Sequence, residues 1–151
     1  MSKFFALLSL LFLPLFAADD GAISWNYKNE VTLAKDQLAR YEIAIDNKIY
    51  TLDFRWTLYV NKGLVTLYKY GIENPKKKIS RFPYQNILYK DHKLNSFKIE
   101  LKNRVSNAFL EPYALIVFKD FDEKTKKATF DVLIKDDARP VQAERVLPKA
   151  D

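Results

Sequence analysis

Residues 50–71 read YTLDFRWTLYVNKGLVTLYKYG, and this stretch decides the fold class. From residue 52 to residue 60, leucine, phenylalanine, tryptophan, leucine and valine occupy every second position. A β-strand with one buried face has this period, because successive side chains project to opposite sides of the strand. Residues 61–63 (NKG) then reverse the chain, since a glycine suits the positive φ of a three-residue hairpin loop with a bulge. We therefore predict a hairpin in which Trp56 faces Tyr68.

Residues 41–54 predict a second hairpin that shares this strand. A two-residue turn at Asn47-Lys48 places Ile43 opposite Leu52, and the apolar faces of both strands then coincide. A shift of one residue would turn one of the two patterns to the opposite face of the sheet. Residues 41–70 are therefore expected to form a three-stranded meander with one buried face. The expected members of this face are Tyr41, Ile43, Ile45, Leu52, Phe54, Trp56, Leu58, Val60, Leu64 and Tyr68.

The rest of the chain repeats short apolar alternations that are separated by turns. Pro83 confines residues 79–90 to an edge strand, because proline has no N–H to donate to a second neighbour. Residues 113–118 (YALIVF) are apolar at every position, which indicates a central strand that is covered on both sides. Residues 32–40 form the one stretch whose spacing allows either a helix or a strand. Further strands are expected at residues 23–27, 95–102 and 128–135.

This pattern predicts the fold class. About seven to eight strands at hairpin spacing, with almost no helix, indicate an all-β fold. The expected architecture is an antiparallel β-sandwich of immunoglobulin-like type, with a small barrel as the alternative. The chain contains no cysteine, so the domain is stabilised by packing and not by disulfides.

Residues 1–18 predict a secretory signal peptide. A lysine precedes the apolar run FFALLSLLFLPLF, and two alanines follow it. The run is shorter than the about 20 apolar residues that a membrane span requires. We therefore expect an exported protein, periplasmic or extracellular, with no stable membrane span after cleavage. The expected organisation is a signal peptide at 1–18, a single β domain at 19–136 and a flexible C-terminal tail at 137–151.

The composition lacks the residues that most metal sites and many catalytic sites require. With no cysteine and His92 as the single imidazole, the usual tetrahedral zinc ligand sets are missing. A Ser–His nucleophile would depend on His92, which lies in a lysine-flanked turn, and the three glycines are too isolated to cradle a phosphate. The acidic residues Asp120, Asp122 and Glu123 do not have the spacing of a calcium loop. We predict no catalytic residue, no metal and no cofactor.

Basic and aromatic residues are interleaved between residues 76 and 93. This cluster and the net charge of +6 favour an anionic partner. Such interleaving also suits nucleic acid, but an exported protein is expected to meet a protein or an anionic envelope component instead. The lysines also have a purely structural explanation, since they protect an edge strand from pairing with other chains. The candidate binding surface consists of Lys76, Lys77, Lys78, Arg81, Phe82, Tyr84, Tyr89 and Lys93.

Three hypotheses on function follow from these observations. The leading hypothesis is a non-catalytic exported β-domain that binds another envelope or secreted component, either a protein or an anionic glycan. The second is a carrier that encloses an apolar ligand within the β core, in keeping with an aromatic content of 15%. The third is a hydrolase with an unrecognised carboxylate pair. A cavity between the sheets would favour the carrier, and two acidic side chains converging in a cleft would favour the hydrolase.

Overall fold

The structure is a computed structural model, and it describes residues 23–73, 81–102, 112–137, 139 and 141–148. Within these ranges the chain forms nine β-strands and no helix. The strands are β1 (Tyr27–Ala34), β2 (Ala39–Ile45), β3 (Lys48–Val60), β4 (Gly63–Gly71), β5 (Tyr84–Tyr89), β6 (Ser96–Glu100), β7 (Tyr113–Asp122), β8 (Lys127–Lys135) and β9 (Gln142–Val146). Residues 32–40, whose spacing allowed a helix, comprise the end of β1, a turn at residues 35–38 and the start of β2.

All strand pairs are antiparallel, and the strands form two sheets. One sheet has the order β1-β8-β7-β6, and the other has the order β5-β4-β3-β2-β9. Phe54 of β3 contacts Phe130 of β8 edge to face, with 5.4 Å between the ring centroids, so side chains of the two sheets meet in one core. The predicted all-β antiparallel sandwich is confirmed, whereas the alternative of a small barrel is wrong because the two sheets do not close on each other.

The core between the sheets contains most of the predicted apolar face. Trp56 is buried, and its indole N–H donates to the carbonyl oxygen of Leu33 in the opposite sheet at 2.9 Å. Tyr68 is partly buried and packs against the core. Leu58 and Val60, which were predicted to lie in the core, are instead exposed at 50% and 51%. The other buried members of the predicted face are Tyr41, Ile43, Ile45, Leu52, Phe54 and Leu64.

The loop of the β3–β4 hairpin explains this difference. Its two residues are Asn61 and Lys62, with φ values of 51° and 64°, and Val60 pairs with Gly63. Positive φ at both central residues is what a type I′ turn requires, and this turn matches the natural twist of the strands. The prediction of a three-residue loop that includes Gly63 is therefore wrong.

A β-bulge at Thr57 then changes the face of the strand. The shorter loop shifts the pairing by one residue, so Leu58 and Val60 project outward. The pairing skips Thr57, and on the far side of this bulge Trp56 pairs with Thr66 and again projects inward. The predicted pairing of Trp56 with Tyr68 is wrong by two residues, which preserves the face of Trp56. The apolar residues of β3 therefore project into the core before the bulge and onto the outer face of the sheet after it.

The β2–β3 hairpin differs from the prediction in register but not in face. Its turn lies at Asp46-Asn47, where both residues have positive φ, and Ile43 pairs with Tyr50 and not with Leu52. The shift is two residues, so each side chain stays on the predicted side. In this hairpin the alternation of apolar residues predicts the buried face correctly, while the turn residues fix the register.

The edges of the five-stranded sheet are β5 and β9. β5 follows Pro83 directly and lies at one edge, as predicted. At the other edge β9 pairs with β2, and Val141 just before it is buried. Residues 142–146, which the sequence analysis assigned to a flexible tail, form this strand. The sequence of β9 (QAERV) has no apolar alternation, and the strand is added through its backbone pairing with β2.

Candidate binding surface

The described residues of the predicted binding surface are spread along β5 and the segments on either side of it. Lys76, Lys77 and Lys78 lie outside the described residues. Arg81 and Lys93 are exposed at opposite ends of β5, whose six residues extend over about 17 Å at the usual rise per residue. The three aromatic members of the predicted surface, Phe82, Tyr84 and Tyr89, lie in three different environments.

Tyr84 extends the core at the edge of the sheet. Its ring stacks on Tyr68 at 4.9 Å between centroids, and Tyr68 stacks on Phe97 of the opposite sheet at 5.1 Å. Tyr84 thus lies on the side of β5 that faces the other sheet. Its contacts are mainly structural, although about half of the side chain stays exposed.

Phe82 lies on the opposite side, over the outer face of the five-stranded sheet. Its ring is 4.7 Å from the guanidinium carbon of Arg55 and 5.5 Å from Nζ of Lys69. Cations at these distances from an aromatic face are attracted by the electron-rich ring. Phe82 therefore covers cations of its own chain and does not offer its ring freely to a ligand.

Tyr89 lies on the same outer face, in a position that depends on a glycine. A Cβ atom at Gly63 would lie 3.0 Å from Cε1 of Tyr89 and 3.3 Å from Cγ2 of Ile87. Real Cβ atoms rarely approach other atoms this closely, so only glycine lets the tyrosine ring pack against the strand. Gly63 is thus needed for this packing and not, as the sequence suggested, for its φ angle.

An exposed apolar patch surrounds this contact. Leu58, Val65 and Ile87 pair in register across β3, β4 and β5, which places them in one row on the outer face. Leu58 is half exposed, and Ile87 is 47% exposed. We define the outer patch as Leu58, Val60, Val65, Leu67, Ile87 and Tyr89. The sequence assigned Leu58 and Val60 to the core, and only a correct prediction of the Asn61-Lys62 turn would have revealed their exposure.

The other half of the same outer face has the opposite character. Asp53 is fully buried there, and it accepts two hydrogen bonds from Arg40, Nε to Oδ1 at 2.8 Å and Nη2 to Oδ2 at 2.9 Å. Lys69 lies 3.2 Å from the same carboxylate, and Glu73 lies 3.6 Å from Arg40. The hydrogen bonds that Arg40 donates to Asp53 raise the pKa of Arg40. We define Arg40, Asp53, Lys69 and Glu73 as the paired cluster.

Positive charge surrounds the outer patch. Lys62, Arg81 and Lys93 are exposed, and among the described residues none of them forms an ion pair. Lys90, by contrast, donates to Asp120 at 2.6 Å. Asp91 contributes one negative charge on the same turn as Lys93. The rim of the patch therefore keeps an excess of uncompensated positive charge.

The acidic residues considered as a cation site are engaged in local contacts. The hydrogen bond from Lys90 lowers the pKa of Asp120. The backbone N–H groups of Thr125 and Lys124 donate to Asp122 and lower its pKa. Within the described ranges no group of three or more metal-ligating side chains comes together. These carboxylates act as partners within turns and between strands.

Two surface depressions open beside loops, and the buried side chains of Ile45 and Val141 line one of them. One, of about 370 Å³, lies between the β3–β4 turn and the β5–β6 turn, next to Tyr89. His92 lines it and accepts the backbone N–H of Leu94 through Nδ1. The other, of about 310 Å³, lies near Asp46 and Asp136. Between the sheets, the ring of Phe130 contacts those of Phe54 and Phe118, so these rings fill the part of the core that they occupy.

Comparisons with known proteins find no match for this chain. No protein-family model, no curated protein and no solved structure matches the chain. Across the described ranges, no helix has the length and apolarity that crossing a bilayer requires. The function must therefore be argued from the geometry of the surface.

Proposed function

We propose that this chain is a non-catalytic exported β-domain that binds a protein of the envelope or the secreted fraction through the outer patch. The observation that carries this proposal is the exposure of Leu58, Val60, Ile87 and Tyr89 together on one face of the sheet. Contiguous exposed apolar side chains with a polar surround are typical of interaction sites, because their burial on binding removes apolar surface from water. Export follows from the signal peptide predicted at residues 1–18.

The chemistry of the outer patch favours a protein over an anionic glycan. The row Leu58–Val65–Ile87 is aliphatic and offers no side-chain hydrogen-bonding group. A sugar ring brings several hydroxyl groups that need such partners when they are buried. A protein interface, by contrast, combines an apolar centre with a polar rim. Lys62, Arg81 and Lys93 supply such a rim and favour a partner with acidic residues around an apolar centre.

The carrier hypothesis gains no such support. A carrier requires a cavity that is lined by the side chains between the sheets. The depressions of about 310 and 370 Å³ lie beside loops, and in the core Phe130 contacts both Phe54 and Phe118. The hydrolase hypothesis would need two acidic side chains that converge in a cleft. Asp53, a buried acid of the five-stranded sheet, is paired with Arg40 and Lys69, and it lines neither of the two depressions described above.

The test compares two double variants of the protein without residues 1–18. Leu58→Ser with Ile87→Ser removes the centre of the outer patch. Ile49→Ser with Ile72→Ser removes two residues outside the patch that are even more exposed, at 59% and 57%. Each protein is immobilised and used to capture components from the source organism. A captured protein is then purified, and its affinity for each variant is measured.

We expect the patch variant to lose the partner and the control variant to retain it. Retention by both variants would overturn the proposal. Retention by the patch variant, combined with release on neutralising Lys62, Arg81 and Lys93 and with strong salt sensitivity, would instead indicate an anionic glycan held by charge.

A further inference from the structure

The four edge strands of the two sheets are protected to different degrees. β1, β6 and β9 each carry two charged residues. β5 has the sequence YQNILY, without a charge, and its pairing with β4 runs in continuous register without a bulge. Natural edge strands carry charges, bulges or prolines because an unprotected edge pairs with other chains. The proline at residue 83 lies just before β5 and leaves the strand itself open.

The register shows which backbone groups of β5 face away from its neighbour. In an antiparallel pair, the N–H and C=O groups of successive residues point alternately toward and away from the partner strand. The N–H of Tyr89 points away from β4, since it donates to the carbonyl oxygen of Leu94. The carbonyl oxygen of Asn86 points toward β4, where it accepts from the hydroxyl of Thr66.

Both observations agree on which residues of β5 direct their backbone groups away from β4. The N–H and C=O groups of Gln85 and Ile87 point away from β4, and they have no backbone partner among the described residues. The open edge of β5 thus presents two donors and two acceptors at the spacing that an added strand requires.

We propose that β5 binds an extended acidic segment of the partner protein as an additional strand of the five-stranded sheet. This inference rests on the proposed function and specifies how the partner docks. Strand addition of this kind obtains affinity from main-chain hydrogen bonds and specificity from alternate side chains. Here the side chains opposite Gln85 and Ile87 lie on the outer face, where they continue the row Leu58–Val65–Ile87 and extend the outer patch.

The charges at the two ends of β5 specify an acidic segment. Arg81 lies before the strand and Lys93 after it, and neither forms an ion pair within the described ranges. Carboxylates at the two ends of an added segment reach these cations. A second copy of this chain is a poorer occupant, because it brings the same uncompensated cations and a formal net charge of +6 to the same edge.

The experiment uses Gln85→Pro, which removes an N–H that faces away from β4 and therefore preserves the pairing inside the sheet. Gln85→Ala is the matched control, because it removes the same side chain and keeps the N–H. The probe is a fluorescently labelled synthetic peptide, EEVTVTVEE, with KKVTVTVKK as its charge-reversed control. Affinity is measured by fluorescence anisotropy, and hydrogen exchange of the amides of Gln85 and Ile87 is measured in the wild-type protein.

We expect the acidic peptide to bind the wild type and Gln85→Ala equally, and to bind Gln85→Pro on the order of tenfold more weakly, since each 1.4 kcal/mol corresponds to a factor of ten. The amides of Gln85 and Ile87 should become protected when the peptide binds. Equal binding to Gln85→Pro, equal binding of the lysine peptide, or unprotected amides would each overturn the inference. A wild-type dimer that dissociates in Gln85→Pro would also overturn it, in favour of a second copy.

The two proposals fail in different ways. If the purified partner binds Gln85→Pro normally but not the Leu58→Ser, Ile87→Ser variant, the outer patch is the binding surface and strand addition is wrong. If the partner binds both variants normally, the proposed function is wrong as well.

Discussion

The outer face of the five-stranded sheet has two halves with opposite patterns of burial. In one half a fully buried carboxylate, Asp53, is held by Arg40 and Lys69. In the other half Leu58, Val60 and Ile87 are apolar and exposed. A globular domain usually exposes charges and buries such side chains. This inversion separates a half whose charges are paired within the chain from a half whose apolar side chains remain exposed.

The β-bulge at Thr57 marks the boundary between the two halves. On one side of it β3 turns Phe54 and Trp56 into the core, and on the other side it turns Leu58 and Val60 outward. Bulges re-aim side chains in this way and are frequent beside functional sites. The comparison teaches that the local turn, and not the apolar pattern, decides which residues are free to bind.

The largest expected effect distinguishes the two sides of the bulge. Trp56→Ala should lower the free energy of unfolding by about 3–5 kcal/mol, because it leaves a cavity in the core and loses the hydrogen bond to Leu33. Leu58→Ala should change the free energy of unfolding by only about 0.5 kcal/mol, since its side chain is half exposed. Urea denaturation measures both. Equal losses would mean that Leu58 is a core residue and that the face change at Thr57 is wrong.

The paired cluster provides the next test. Asp53→Ala should lower the free energy of unfolding by about 3–5 kcal/mol, because Arg40 and Lys69 then keep partly buried charges without their shared partner. Glu73→Ala is the matched control on the same cluster. Glu73 is exposed and lies 3.6 Å from Arg40, so its loss should cost no more than about 1 kcal/mol. Thermal or urea unfolding of both variants gives the comparison, and a cost near zero for Asp53→Ala would contradict it.

The smallest stability effect concerns the packing of Tyr89 on Gly63. Gly63→Ala places a methyl group 3.0 Å from the tyrosine ring, which must move away from the strand. The stability cost should be about 1 kcal/mol, the lower end of the range for overpacked sites. Tyr89→Ala combined with Gly63→Ala should remove most of this cost, because the two closest contacts of the new methyl group are with the tyrosine ring and only Ile87, at 3.3 Å, remains. A double-mutant cycle measures the coupling, and strictly additive losses would show that the contact is not the reason for the glycine.

The sequence predicts the sandwich better than the surface, and the reason is physical. Apolar alternation records which face of a strand is buried, so the core positions of β2, β6 and β8 follow from the sequence alone. Register depends on turns, and residues such as Lys62 at positive φ give a weak signal because non-glycine residues rarely adopt it. β9 gives no signal, since its stability comes from pairing with β2.

The candidate site was predicted only in part for the same reason. The cluster from Arg81 to Lys93 drew attention to β5, which forms one side of the outer patch. The other side, Leu58 and Val60, has the pattern of a core strand until the bulge is known. Sequence composition thus reveals the charged rim of a surface, while the apolar centre becomes visible only when the turn and the bulge are known.

The central claim is that the partner covers the exposed half of the outer face and leaves the paired half unchanged. Hydrogen exchange of the chain, with and without its purified partner, tests this claim most directly. We predict slower exchange in peptides that cover residues 58–65 and 85–89, with unchanged exchange around Arg40 and Asp53. Protection around Arg40 and Asp53 without protection at residues 58–65 would contradict the claim and assign binding to the paired half.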